Sequence, residues 1–304
     1  MTSNFFSTTM LMCSIVALSS CGGSSSNEDA SMAPPDNTSG TPTNVGAQDL
    51  IDDLPSGDIT SYGAITIGDE SGMASDLVAA FFELDTAVSA DTLTQAFNGT
   101  QTVCSVDDDD SVDFEEISVG FIPSFNGIGK RAISAGESIV VSSDTGTFAN
   151  LQSQSAGPFL FYTLPDMQML PNVTIPHALQ VDILGDEFPG YNAAMIPSVT
   201  ALDTVDFGAT SGISATSVFS WTPSSDPAAL LRIFSSTAGG FFLENGMTVT
   251  CLTPDTGSFT FPASVQEELG ADFVGGTPII SRVVVRTETT ENSVLFLIRE
   301  SFSQ

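Results

Sequence analysis

The feature that most constrains this chain is a succession of strand-length apolar runs, each cut off by turn residues, beginning after Gly57. ITSYGAITIG, LVAAFFEL, QTVCSV, DFEEISVGF, ESIVVSS, GPFLFYTL and HALQVDIL are rich in Val, Ile, Phe and Thr, with Asp, Gly, Asn and Pro between them. A second series follows the Pro/Gly-rich stretch from Gly185 to Pro197: SVFSWTP, ALLRIFSS, GMTVTCLTP, GSFTFP, IISRVVVRTE and SVLFLIRES. Short β-branched and aromatic runs at this spacing predict strands arranged as sandwiches. In the last run Val294, Phe296 and Ile298 alternate with Leu295 and Leu297, so both faces are apolar and the strand is expected to be central. Helical periodicity is confined to PASVQEELGADF, where Val265, Leu269 and Phe273 share a face and Gly270 limits the length. The expectation is an all-β fold of two β-sandwich domains, at residues 57–190 and 191–304.

Ahead of the strands lies a different kind of sequence. FFSTTMLMCSIVALSSC, Phe5 to Cys21, is an apolar stretch too short to span a bilayer with margin, and small residues precede its cysteine. Leu18-Ser19-Ser20-Cys21 resembles the lipobox of bacterial lipoproteins, although the preceding MTSN carries no Lys or Arg. The resemblance implies a signal peptide at residues 1–20, cleavage before Cys21, and acylation of that cysteine. Gly22 in the following position implies sorting to the outer membrane, with the chain facing the periplasm or the cell exterior. Residues 21–56, rich in Gly, Ser, Pro and Asn, have too few apolar side chains to offset their ordering entropy, which predicts a disordered tether.

The strand-bearing segment is strongly acidic. The whole chain has 37 acidic and 6 basic side chains, a formal charge of −31, and none of them precedes Glu28. Such a field repels phosphate backbones, and no basic patch exists to displace their counterions, which excludes nucleic-acid binding. The only adjacent basic pair, Lys130-Arg131, is expected to meet acidic side chains. The densest acidic run is VDDDDSVDFEE, Val106 to Glu116. Asp107, Asp109, Asp113 and Glu116 offer carboxylate oxygens of the kind calcium takes, so calcium is the one cofactor to consider. An EF-hand frame ending at Glu116 puts Asp110 where glycine is needed, and four adjacent aspartates also relax well as a solvated loop tip. Once Cys13 and Cys21 are set aside, Cys104 and Cys251 remain in an oxidising compartment, either as one disulfide or as two buried thiols. His177 is the single imidazole, and no Gly-x-Ser-x-Gly elbow accompanies it, so it is expected to be a loop residue without catalytic duty. Sugar stacking needs exposed aromatic platforms. Trp221 is expected in the core, which leaves Tyr62, Tyr162 and Tyr191 as loop candidates.

Two local patterns invite comparison with known families. SVFSWTPSSDPAALLRIFSS is similar to the B–C hairpin of fibronectin type III and immunoglobulin-like domains: an inward Trp221, then Pro223 and a loop, then an alternating strand. The tyrosine expected in the following strand is replaced by Ile233 or Phe234. The resemblance implies fold and carries no functional residue. The segments TVCSVDDDDSVDFEE and TVTCLTPDTGSFTFP suggest a repeat in which each cysteine occupies an equivalent core strand. Asp144-Thr145-Gly146 and Asp255-Thr256-Gly257 resemble the paired catalytic loops of aspartic proteases, which need an apolar strand leading into each aspartate. Ser142-Ser143 and Thr253-Pro254 stand there instead, so both copies are expected to be hairpin turns.

Taken together, the chain resembles uncharacterised envelope lipoproteins of Gram-negative bacteria. The expected role is a non-catalytic binding or structural module working through protein or cell-surface contacts. A calcium-dependent adhesive or glycan-binding module is one alternative. A secreted hydrolase with a carboxylate pair not identifiable from sequence is the other.

Overall fold

The computed structural model describes residues 58–70, 73–89, 102–107, 130–156, 159–165, 174–208, 212–226, 229–236, 247–276, 278–290 and 292–303. The fold is all-β. Among the described residues there are seventeen strands and one short helix, and thirteen of the strands belong to a single sheet.

The middle of that sheet is built from β1 (Asp58–Glu70), β2 (Met73–Ser89), β16 (Ile279–Thr290) and β17 (Ser293–Phe302). β17 runs parallel to β1, with Ser61 opposite Ser293 and Ile65 opposite Leu297, and antiparallel to β16. Its residues Ser293 to Ser301 are all buried, as an alternation apolar on both faces requires. The side of β2 away from β1 meets β7 (Phe159–Thr163) and the short β4 (Lys130–Ala132). Beyond β7 come β6 (Gly146–Ala156), β5 (Ser138–Ser143), β8 (Leu179–Ile183) and the edge strand β9 (Tyr191–Ile196). In the other direction β16 is followed by β12 (Leu230–Ser236), β13 (Thr248–Pro254) and the opposite edge strand β3 (Val103–Asp107). Two small pairs lie off the main sheet: β10 (Ile213–Ser214) with β15 (Val274–Gly275), and β11 (Val218–Ser220) with β14 (Ser258–Thr260).

The hydrophobic interior is divided in a way the sheet is not. One cluster joins Ile65, Ile67, Phe81, Leu295 and Leu297 to Ile139, Val181, Phe188 and Ile196 of the β5–β9 region. Another joins Leu231, Ile233, Val249 and Cys251 to Phe219, Trp221, Phe259, Phe261, Val265 and Leu269. A third lines the opposite face of the central strands with Tyr62, Phe82, Val283, Val294, Phe296 and Ile298. β17 feeds both faces of the centre, so the last strand of the chain completes interiors begun near residue 60.

The helix α1 (Ala263–Leu269) follows Pro262, whose fixed φ suits a helix start, and ends at Gly270 with φ 74°. Val265, Leu269 and Phe273 are buried, as the periodicity predicted. Two expectations about pairing are corrected. β11 and β12 do not form a hairpin: they flank Trp221 but belong to different sheets. The cysteine strands are not equivalent core strands of a repeat either. β3 and β13 are direct antiparallel neighbours, with Cys104 opposite Cys251.

Candidate functional site

The two Asp-Thr-Gly segments have different fates. Asp144 and Thr145 form the exposed tip of the β5–β6 hairpin, with Ser143 paired to Gly146, and the φ of 123° at Gly146 demands glycine. Asp255 does not sit in a hairpin, because β13 and β14 do not pair with each other and the chain crosses there from one sheet to another. Its carboxylate is 2% exposed and accepts from Trp221 Nε1 at 2.5 Å, Ser224 N at 2.8 Å and Arg282 Nε at 2.8 Å. The Arg282 side chain, equally buried, also donates to the carbonyls of Ala201 at 2.6 Å and Thr222 at 2.7 Å. A polar network this fully satisfied fixes structure, and it ties the Thr200–Ala201 segment to β16. An aspartate that accepts three hydrogen bonds inside the protein is not placed to act on a substrate.

A second buried ion pair joins Arg232 to Glu300 at 2.7 Å. Cys104 and Cys251 form a disulfide between β13 and the edge strand β3. His177 is exposed in the turn before β8. Tyr62 and Tyr162 are buried in strands and Tyr191 lies half-buried in β9, so none of the three is a loop platform. Burial raises the Tyr191 hydroxyl well above the usual range. Asp107 ends β3, while Cys21, Asp109, Asp113 and Glu116 lie outside the described residues. Among the described residues no three His, Cys, Asp or Glu side chains converge to hold a metal ion.

What strand register does assemble is a polar row across one end of the central sheet. Arg131 on β4 lies opposite Glu83 on β2, Glu83 opposite Ser61 on β1, Ser61 opposite Ser293 on β17, and Ser293 opposite Thr290 on β16. No single stretch of sequence announces this row, because five strands contribute one residue each. One row further in, Phe81, Gly63 and Leu295 are paired across the same strands, and Phe81 and Leu295 belong to the hydrophobic interior. Gly63 is required there: a Cβ would lie 2.4 Å from Phe81 Cδ1, so the ring closes the core beneath the polar row.

The wall over this row is the Gly185–Gly190 turn. Phe188 N donates to Ser134 O at 2.8 Å and Gly185 N to Ala135 O at 3.2 Å, which fastens the turn to the segment after β4. Gly185 has φ 85°, and a Cβ there would lie 2.6 Å from Gly190 N. The turn places Glu187 beside Arg131. The Arg131 guanidinium donates to Glu83 Oε2 through Nη2 at 2.8 Å and Nε at 3.1 Å, and to Glu187 Oε1 through Nη1 at 3.1 Å. Glu187 Oε2 accepts from Ser134 N at 3.0 Å. That backbone donor, and then Arg131, hold the Glu187 carboxyl below the usual range; the hydrogen bonds Arg131 donates to Glu83 and Glu187 raise the guanidinium further.

At the far end, a β-bulge at Thr60 lets both Thr60 N and Ser61 N donate to Asn292 O, at 3.0 and 3.2 Å. Ser61 Oγ and Ser293 Oγ are 2.6 Å apart on the floor. The result is a half-open polar groove of about 250 Å³, with Ile133 and Pro189 as its apolar lining. Sequence reasoning anticipated the pairing of Arg131 with acids and nothing else of this site.

No protein-family model matches the chain, and no curated protein sequence matches it.

Proposed function

We propose that this chain is a non-catalytic lipoprotein of the bacterial envelope, anchored in the outer membrane through acylated Cys21 and held off the bilayer by residues 21–56. In this reading it acts as a binding or structural module, and the polar groove is its contact surface. The observation that carries the binding role is the groove's composition. Exposed Thr60 and Asn292 and a clamped guanidinium stand over the buried Ser61–Ser293 hydroxyl pair, while Glu187 is held ionised. A hydrolase with a carboxylate pair needs one member kept protonated near neutral pH. A carboxylate held low by a backbone donor and an arginine suits recognition instead. The address rests on the lipobox and the tether.

Two measurements test this. Incorporation of labelled palmitate into the full chain should be lost in Cys21→Ala; equal labelling of both would overturn the anchor. A photo-crosslinking residue at Asn292, on the groove rim, should trap an envelope component that the same residue at Asp144 does not. Identical patterns from both positions, or turnover of chromogenic ester or glycoside substrates, would overturn the binding role.

A further inference from the structure

We propose that the groove binds a small zwitterion, an α-amino acid or a compound carrying its ammonium and carboxylate equally close together. This rests on the reading of the groove as a binding surface and names its ligand class. The groove presents charge in the order minus, plus, minus: Glu83, Arg131 and Glu187. The guanidinium sits between the carboxylates and repels a metal ion or a simple organic cation. A net anion meets the field of a chain of charge −31. A sugar ring finds no aromatic face in the groove, because no Phe, Tyr or Trp is among its described lining residues.

A ligand with both charges and no net charge escapes all three objections. Arg131 commits three N–H groups to Glu83 and Glu187, leaving two of its five for a ligand carboxylate. Both glutamates hold the fork in place, so little of its freedom is lost on binding. Glu187 has both oxygens engaged, by Arg131 and Ser134 N, whereas Arg131 contacts Glu83 only through Oε2. Glu83 Oε1 is therefore the acceptor for an ammonium group. The Ser61–Ser293 hydroxyl pair and Asn292 supply the neutral contacts. The volume, about 250 Å³, falls below the roughly 300–1,000 Å³ of pockets for drug-sized ligands, which suits a single amino acid.

The test is calorimetric titration of the full chain, in a charge-neutral and sugar-free detergent, with glycine, L-alanine and L-serine. Saturable binding is expected for at least one of them, changing less than about threefold between 50 and 500 mM NaCl because the ligand is net-neutral. Arg131→Ala and Glu83→Gln should each weaken it at least tenfold, while Asp144→Asn at the distant hairpin tip leaves it unchanged. The methyl ester and the N-acetyl derivative, each lacking one charge, should bind at least tenfold more weakly. No saturable heat with any of the three overturns the proposal, as does a methyl ester that binds as well as the free acid, or saturable binding of methyl glucoside instead. Asn292 crosslinking that persists in any of those cases shows that the binding role survives and only the ligand class fails.

Discussion

Removing the Asp255 carboxylate tests how far a local sequence pattern can mislead. Asp255→Ala leaves the buried Arg282 guanidinium without its counter-charge and Trp221 Nε1 without its acceptor. Breaking one partner out of a buried pair costs about 3–5 kcal/mol, because the remaining charge stays away from water. Stability of a domain is about 5–15 kcal/mol, so about a fifth or more is at stake. At roughly 2–4 °C per kcal/mol for 150–250 residues, the thermal midpoint should fall by about 10 °C. Asp255→Asn keeps the shape and one acceptor oxygen and should cost less. The matching control is Asp144→Ala, the same change in the same Asp-Thr-Gly tripeptide at an exposed tip, expected within about 0.5 kcal/mol of the parent. Thermal unfolding followed by Trp221 fluorescence and by far-UV circular dichroism reads all three variants. An Asp255→Ala midpoint within about 2 °C of the parent, matching Asp144→Ala, would refute the claim that this carboxylate locks the core.

Replacing Cys104 and Cys251 with Ser should destabilise by up to about 5 kcal/mol, since the disulfide closes a loop with a sequence separation of 147; denaturant midpoints of oxidised and substituted chains measure it. Gly63→Ala forces a methyl into the Phe81 ring and should cost about 1–3 kcal/mol by the same unfolding assay. The lowered Glu187 carboxyl adds stability that is fully present above its unfolded value of 4.5 and is lost as pH falls through the lower folded value. The gap in stability between the parent and Glu187→Gln should therefore close below about pH 4, with pH-dependent melts as the readout. Calcium and sodium at matched ionic strength should raise the melting temperature equally, because screening a charge of −31 needs no site. A rise specific to calcium would show a calcium site, with Asp107, Asp109, Asp113 and Glu116 the first ligands to substitute.

By itself the sequence determined what is encoded locally. Residue alternation marked the strands, apolar residues on both faces of Val294 to Ile298 announced a central strand, and Val265, Leu269 and Phe273 placed the one described helix. These signals depend only on how a side chain repeats along its own element. Tertiary structure decided everything that depends on which strands meet. Ser61, Glu83, Arg131, Thr290 and Ser293 form one row only because five strands from distant parts of the chain fall into register. Cys104 reaches Cys251 because β3 chooses β13 as its neighbour. Asp144 and Asp255 carry the same three letters, yet one meets water and the other meets Trp221 and Arg282. A turn residue's burial is set by what packs over it, and a tetrapeptide holds no information about that.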